Sequence, residues 1–307
     1  MKWKKLGKLF EVNNQSDWMY SYSSVPFAEN IKHDKFKIYF STRNKNNESS
    51  IGYIVVDLND LTQILEISQE PLLTKGNLGT FDDSGTMASC LINIENKKYL
   101  YYIGWNLGIT VPFRNSIGLA ISTDNGKTFQ KKFQGPILDR TKEEPYFTAS
   151  SCVLKENNIY KMWYLSCTGW EDKDNHLTHK YHIKYAESKD GINWDRTGII
   201  AINYKDEYEY AISVPRVIKE DNKYKMWFSS RGTKEVHTYR IRYAESVNGI
   251  NWNRKDDEVG IDVSKNGWDS EMICYPFVFD HKGKRYMLYN GNDYGKTGFG
   301  LAVLEDK

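Results

Sequence analysis

The sequence predicts an all-β protein, a five-bladed β-propeller whose last blade is closed by the N-terminal strand. Three observations predict it. The 307-residue chain is rich in aromatic side chains, 14% of all residues, with 22 Tyr and 9 Trp. Its short aromatic and β-branched runs, bounded by Asn, Asp, Gly and Lys, have the composition of strands separated by hairpin turns. One three-strand pattern then recurs five times along the chain. No long window carries a 3.6-residue apolar period, so helices are not expected.

The repeat is plainest in YAESKDGINW (Tyr185–Trp194) and YAESVNGINW (Tyr243–Trp252). The strand that leads into it has counterparts at Ile51, Ile117, Ile183, Ile241 and Phe299, spaced 66, 66, 58 and 58 positions apart. Upstream of each is an aromatic strand: KIYFSTR, LYYIGWN, KMWYLSC, KMWFSSR and MLYNGN. Further upstream is a third: YSSVPFA, MASCLIN, ASSCVLK, ISVPRVI and ICYPFVF. Three units add a turn and an outer strand, in STDNGKTFQKKF, SKDGINWDRTG and SVNGINWNRKD. Four antiparallel strands per unit, repeated at this period, predict propeller blades. The fifth unit lacks its outer strand. Trp3–Gly7 (WKKLG) is similar to Trp194–Gly198 (WDRTG), so the N-terminal segment is expected to supply that strand and remove an open sheet edge. Residues 1–307 then form a single domain.

In the outer turns, Asp or Asn before Gly makes a tight hairpin and the following Trp packs between sheets. STDNGKTF resembles the Asp-box pattern of sialidases and other propellers. These turns are expected to be structural staples on the outer edge, away from any chemistry.

The formal net charge is +2, and Lys and Arg are scattered among Asp and Glu. Neither nucleic acid nor membrane is an expected partner. Mean hydropathy is −0.65, and no apolar run approaches the roughly 18 residues of a spanning helix. MKWKKLGKLFEVNN has lysines but no apolar core, and reads as mature protein rather than a signal peptide. Cys90, Cys152, Cys167 and Cys274 have no metal-ligand spacing and are expected to be buried free thiols. A reducing, cytoplasmic location fits them.

In a propeller the inner strands line a central channel, and a concave site belongs at its mouth. The position seven residues before the Pro/Cys/Ser anchor of each inner strand is Met19, Asp83, Glu144, Tyr208 and Asp269. Glu209 is one step further on. Asp83, Glu144, Glu209 and Asp269 are the candidate catalytic acids, since two converging carboxylates can act as acid and as base or nucleophile. Asp17, Asp82 and Glu271 lie beside them as candidate substrate contacts. Loops between the second and third strands supply Arg43, Trp105, Trp170, His179, Arg231, His237 and Asn292. Trp faces stack on sugar rings, and Arg clamps a carboxylate or phosphate. The alternative reading of the acids is that they cap strand ends or pair with Lys and Arg around a wet channel. No spacing demands a metal or another cofactor.

Five blades, SxDGxxW turns, YKMWY strands and acids before the inner strands resemble the five-bladed propeller glycosidases. That group includes the arabinanase/β-xylosidase, invertase/fructosidase and β-mannoside phosphorylase families. The resemblance covers the whole chain and implies an Asp as base or nucleophile and a Glu as acid. Glu144-Pro145 is similar to the Glu-x-Pro acid segment of the arabinanase group, and Asp83 in FDDSGT is the matching Asp. The invertase Asn-Asp-Pro-Asn and Arg-Asp-Pro motifs are absent. The implied function is a glycoside hydrolase-like enzyme acting on a small oligosaccharide, a nucleotide-linked sugar or a glycan precursor. Two alternatives stay open: a non-catalytic glycan- or protein-binding propeller, and phosphorylase, lyase or isomerase chemistry in which Arg43 and Arg231 hold phosphate or a substrate carboxylate.

Overall fold

A computed structural model describes residues 1–173 and 176–305, and its strands follow the repeat. Strand β1 (Trp3–Phe10) precedes a first antiparallel meander of β2 (Ser21–Lys32), β3 (Lys35–Arg43), β4 (Ser49–Asp57) and β5 (Asp60–Ile67). The second contains β6 (Gly85–Ile94), β7 (Lys97–Leu107), β8 (Phe113–Ser122) and β9 (Gln130–Lys131). The third contains β10 (Thr148–Glu156), β11 (Ile159–Lys173), β12 (His176–Ser188) and β13 (Ile200–Ile202). The fourth contains β14 (Ala211–Glu220), β15 (Lys223–Arg231), β16 (Arg240–Ser246) and β17 (Asn253–Arg254). The last contains β18 (Cys274–His281), β19 (Lys284–Asn290) and β20 (Phe299–Leu304). As expected, β1 pairs antiparallel with β20, from Trp3 opposite Leu304 to Phe10 opposite Phe299.

Two outer strands differ from expectation, the first being β5, which the repeat did not show. In the third meander SKDGINWDRTG makes only a bridge between Glu187 and Asp195, and the outer strand proper is β13, further along.

The core follows from strand alternation, which gives each meander two apolar faces. Buried clusters lie between successive meanders. Phe27 and Tyr39 pack with Leu100 and Tyr102, Tyr101 and Leu119 with Met162 and Tyr164, and Trp163 and Tyr185 with Met226 and Phe228. Trp227 and Ile241 pack with Val278 and Met287. Leu288 and Leu301 of the last meander pack with Phe36 and Phe40 of the first. The contacts therefore run in a cycle.

A set of hydrogen bonds follows the same cycle. The Ala88 amide donates to Ser41 Oγ (2.7 Å), Ser151 to Ser89 Oγ (2.7 Å), Val214 to Ser150 Oγ (3.1 Å), Tyr275 to Ser229 Oγ (2.7 Å) and Val25 to Asn290 Oδ1 (2.8 Å). Each link ties one inner strand to the preceding meander, and the last ties the first meander to the fifth. The inner strands can spare these amides because each carries a bulge or register shift nearby.

The outer turns are staples. Ser246 Oγ accepts the Gly249 amide (2.8 Å), and Asn248 Oδ1 accepts the Ile250 and Asn251 amides. Ser122 with Asp124 and Ser188 with Asp190 repeat the arrangement. Each turn docks on the meander before it: Trp163 Nε1 donates to Gly249 O (2.7 Å) and the Tyr101 hydroxyl to Gly191 O (2.8 Å). All four cysteines are free and buried.

Candidate functional site

The acids come first, because sequence register singled them out. Asp82 is 1% exposed, accepts the Tyr102 hydroxyl (3.0 Å) and pairs with Lys131 (2.6 Å) of β9. Glu144 accepts the hydroxyls of Tyr164 (2.9 Å) and Ser166 (2.8 Å), with Lys184 and Arg196 at 3.6 and 3.9 Å. Glu209 receives a two-pronged bond from Arg254 of β17 (2.6 and 2.9 Å), whose guanidinium lies over Phe228. Asp269 accepts the Tyr289 hydroxyl (3.1 Å) and pairs with Lys5 of β1 (2.7 Å). Four meanders thus repeat one unit. A buried acid precedes the inner strand, a ring stands on the second strand, and a cation comes from an outer segment. Burial and the adjacent acid raise the pKa of Tyr102, Tyr164 and Tyr289, which keeps them donors. In the first meander Met19 and Phe40 replace the acid and ring inside an apolar cluster.

Two corrections follow. The register position of the second meander is held by Asp82, not Asp83. Asp83 turns away to accept the Gly79 amide (3.0 Å) and the Ser84 hydroxyl (3.1 Å). The expected convergence of these acids on one axial pocket is also not formed. Strand alternation is the reason. Ile103 and Leu165, next in line to Tyr102 and Tyr164, face the central cavity, so the tyrosines and their acids face the other way.

The central cavity has a volume of about 380 Å³ and is lined from all five meanders. Tyr22, Ser24 and Arg43 come from the first, and Ile103, Phe113 and Asn115 from the second. Phe147, Ser150, His179 and Tyr181 come from the third, Val214, Arg231 and Tyr239 from the fourth, and Tyr275 and Tyr294 from the last. Arg43 and Arg231 both end the second strand of their meanders, which aims both inward. No carboxylate is among the described lining residues.

Arg231 is the electrostatic centre. Its Nη1 donates to the Tyr294 hydroxyl (2.6 Å), and its Nη2 lies 3.1 Å from His179 Nε2. The rings of Tyr239, Tyr210 and Tyr294 surround the guanidinium at 4.9, 5.2 and 5.8 Å. Burial opposes the Arg231 charge and the tyrosine oxygens favour it, with the balance on the charged side. His179 is pushed down to about 4, first by burial and then by Arg231. It is therefore neutral near pH 7, with Nε2 as acceptor toward Arg231. Its ring stacks on Tyr181 at 5.0 Å and meets Trp170 edge-on at 5.1 Å. Arg43 donates to Asn47 Oδ1 (2.6 Å) and lies 5.1 Å from the Tyr22 ring and 5.8 Å from Trp105.

The backbone around the cavity is strained. Tyr22, Val25, Val214, Tyr275 and Tyr294 have φ of 64°, 53°, 47°, 56° and 60°. All five line the cavity. Bulky and β-branched residues rarely adopt this region, at a cost of about 1–3 kcal/mol each. Such strain gathers where geometry is held for a ligand.

Of the predicted substrate contacts, the cavity brings together Arg43, His179 and Arg231. Trp105 is buried behind Arg43 and donates to Ser49 Oγ (2.7 Å). Trp170 packs behind His179 against Phe113 and Phe147. Asn292 holds a turn, its Oδ1 accepting the Glu271 and Met272 amides (2.9 and 3.1 Å). Asp17, His237 and Glu271 are exposed and outside the cavity lining. His179 lies within β12, whereas His237 precedes β16. The five cavity tyrosines were missed. Two lie in the Ser/Pro/Cys anchors, in SYSSVP and CYP, which served only to set register, and Tyr294 follows the second strand of the last meander in NDYG. Among the described residues no group of three or more His, Cys, Asp or Glu is placed to hold a metal ion. No helix there is long and apolar enough to cross a membrane.

No protein-family model matches the chain. It is 41% identical over 306 residues to "Uncharacterized protein Rv1502" of Mycobacterium tuberculosis, covering 100% of each chain. A local stretch of 86 residues, 27% of this chain and 29% of the other, is 38% identical to a 1,2-beta-oligomannan phosphorylase of Thermoanaerobacter sp.. Among solved structures, a glycoside hydrolase superposes with a TM-score of 0.76 at 18% identity, over 99% of this chain and 93% of that one. A thermostable family-43 glycoside hydrolase superposes with a TM-score of 0.68 at 15% identity, over 94% and 91%. With its all-β meanders in a cycle and that likeness across the whole chain, the protein belongs to the family of mycobacterial Rv1502 and has a fold like that of the propeller-type glycoside hydrolases.

Proposed function

We propose that residues 1–307 are one five-bladed propeller, each meander a blade, and that the protein is carbohydrate-active with its ligand in the axial cavity. The observation that carries this is the cavity itself. All five meanders contribute to it, five tyrosines and two phenylalanines are among its lining residues, and its charged groups are basic. Aromatic faces stack on sugar rings, and the volume falls in the range of small-molecule sites. A small oligosaccharide or an activated, nucleotide-linked sugar fits that description. Four buried free thiols suit a reducing, cytoplasmic setting.

Hydrolysis by paired carboxylates is the chemistry first expected, with Asp83, Glu144, Glu209 and Asp269 in the acid and base roles. The ion pairs of Glu144, Glu209 and Asp269 support a different assignment, in which these acids hold each blade together. The reactive or ligand-binding set is then Arg43, His179 and Arg231. A cavity lined by cations without a carboxylate favours binding, phosphorolysis or lyase chemistry over two-carboxylate hydrolysis. The local similarity to a phosphorylase favours the phosphate-dependent form.

The test is binding and turnover on a glycan panel, with and without phosphate, for wild type, Glu144→Gln, Asp83→Asn and Arg231→Met. We expect Arg231→Met to lose binding, while folded Glu144→Gln and Asp83→Asn keep it. Loss of turnover in either acid variant, with folding and binding intact, would return the acids to a catalytic role.

A further inference from the structure

We infer that the axial cavity selects a sugar bearing its own negative charge, a carboxylate or a phosphate ester, and that Arg231 and Arg43 receive that group. The inference rests on the cavity being a carbohydrate site and adds the class of sugar.

Arg231 is a cation held without an anion. Its donors reach only a tyrosine hydroxyl and a neutral imidazole, and its Nε is buried with no partner. Among the described residues, neither Arg231 nor Arg43 has a carboxylate within 4.0 Å. Three other arginines of this chain show the usual pairing. Arg254 binds Glu209 and Asp256, Arg285 binds Asp280 and Glu220, and Arg240 binds Asp262. Arg231 and Arg43 are half-buried, and drawing a cation even partly out of water without pairing it is unfavourable. The cost is offset once a ligand supplies the missing charge.

The geometry suits an oxyanion. A guanidinium presents a planar fork that matches carboxylate or phosphate oxygens. His179 and Tyr294 fix the orientation of that fork without neutralising it. Arg43 offers a second cation from the first meander, on the same cavity. Tyr294 sits on a turn where two successive non-glycine residues, Asp293 and Tyr294, have φ of 52° and 60°. That strain holds the hydroxyl against Arg231. Tyrosine faces remain for the neutral body of the sugar.

The test uses the full chain, with thermal unfolding and titration calorimetry. The probes are glucuronate, N-acetylneuraminate and mannose 1-phosphate, the neutral sugars glucose and mannose, and inorganic phosphate. We expect at least one acidic sugar to bind about tenfold or more tighter than its neutral counterpart, as a charge-assisted pair requires. Arg231→Met and Arg43→Gln should each shrink that preference, and added salt should weaken it. If Arg231→Met does not fold, Arg231→Lys keeps the charge, loses the fork and should bind less tightly than wild type. Equal affinity for neutral and acidic sugars overturns the inference but leaves the carbohydrate reading standing. Inorganic phosphate binding as tightly as every acidic sugar also overturns it, because the anion is then not sugar-borne. If no sugar binds at all, both readings fall.

Discussion

Glu144 is a buried charge and Arg231 a half-buried one, and their surroundings separate their roles. Glu144 has two hydroxyl donors and two cations around it, so its partners would be stranded if it were lost. Glu144→Gln should lower stability by about 1–3 kcal/mol, read as a fall in Tm. An unchanged Tm would remove the structural assignment. His179 gives a pH signature. Its pKa is about 4 in the fold against 6.5 ordinarily, so between those values the unfolded chain binds a proton that the folded chain refuses. The contribution of the neutral imidazole is therefore full above about 6.5 and is lost as pH falls toward about 4. His179→Asn should flatten the decline of Tm across that window, and an equally steep profile would refute the assignment. Residue types were legible in the sequence at this scale, but directions were not. FDDSGT offers two adjacent aspartates, and only the pairing of one with Tyr102 and Lys131 tells them apart. Arg231 and His179 come from different meanders, 52 residues apart, and no local pattern announces their contact.

The strands and turns were largely readable, because period-2 aromatic runs and Ser-Asp-Gly or Ser-Asn-Gly turns obey local rules. Exceptions arose where tertiary contacts override them. The third outer strand forms late, at Ile200–Ile202, where it packs beneath Ile183 and Ile212. The inner-strand bulges put Val25, Val214 and Tyr275 at positive φ, each directly before a proline and none of them a glycine. A sequence-based reading has no reason to place left-handed residues there. The turn staples can be tested directly. Gly249 has φ of 76°, and a Cβ there would lie 3.1 Å from the Trp163 ring. Gly249→Ala should cost about 1–2 kcal/mol and loosen the packing of the fourth meander on the third. Its Tm compared with that of an exposed control, such as Val247→Ala, measures it. Equal values would mean that the turn is not a staple.

For the molecule as a whole, the cycle of hydrogen bonds and apolar clusters makes each meander depend on two neighbours. Removing residues 1–10 takes away β1, the Lys5 partner of Asp269 and the Trp3 contact with Trp227. The truncated chain should unfold at lower temperature and self-associate through the exposed edge of β20. Thermal unfolding with light scattering checks this, and a monomer with wild-type Tm would contradict it. The pairing of β1 with β20 also bears on biogenesis. Translation delivers β1 nearly 300 residues before its partner, an interval of roughly 15–60 s at about 5–20 residues per second. During that time β1 is an orphan strand beside a ribosome. Its lysines, Lys4, Lys5 and Lys8, are the kind of residue that keeps an unpaired strand from recruiting a stranger. One of them, Lys5, is later taken up by Asp269, so a charge suited to guarding the nascent strand ends as a bolt between β1 and the last meander.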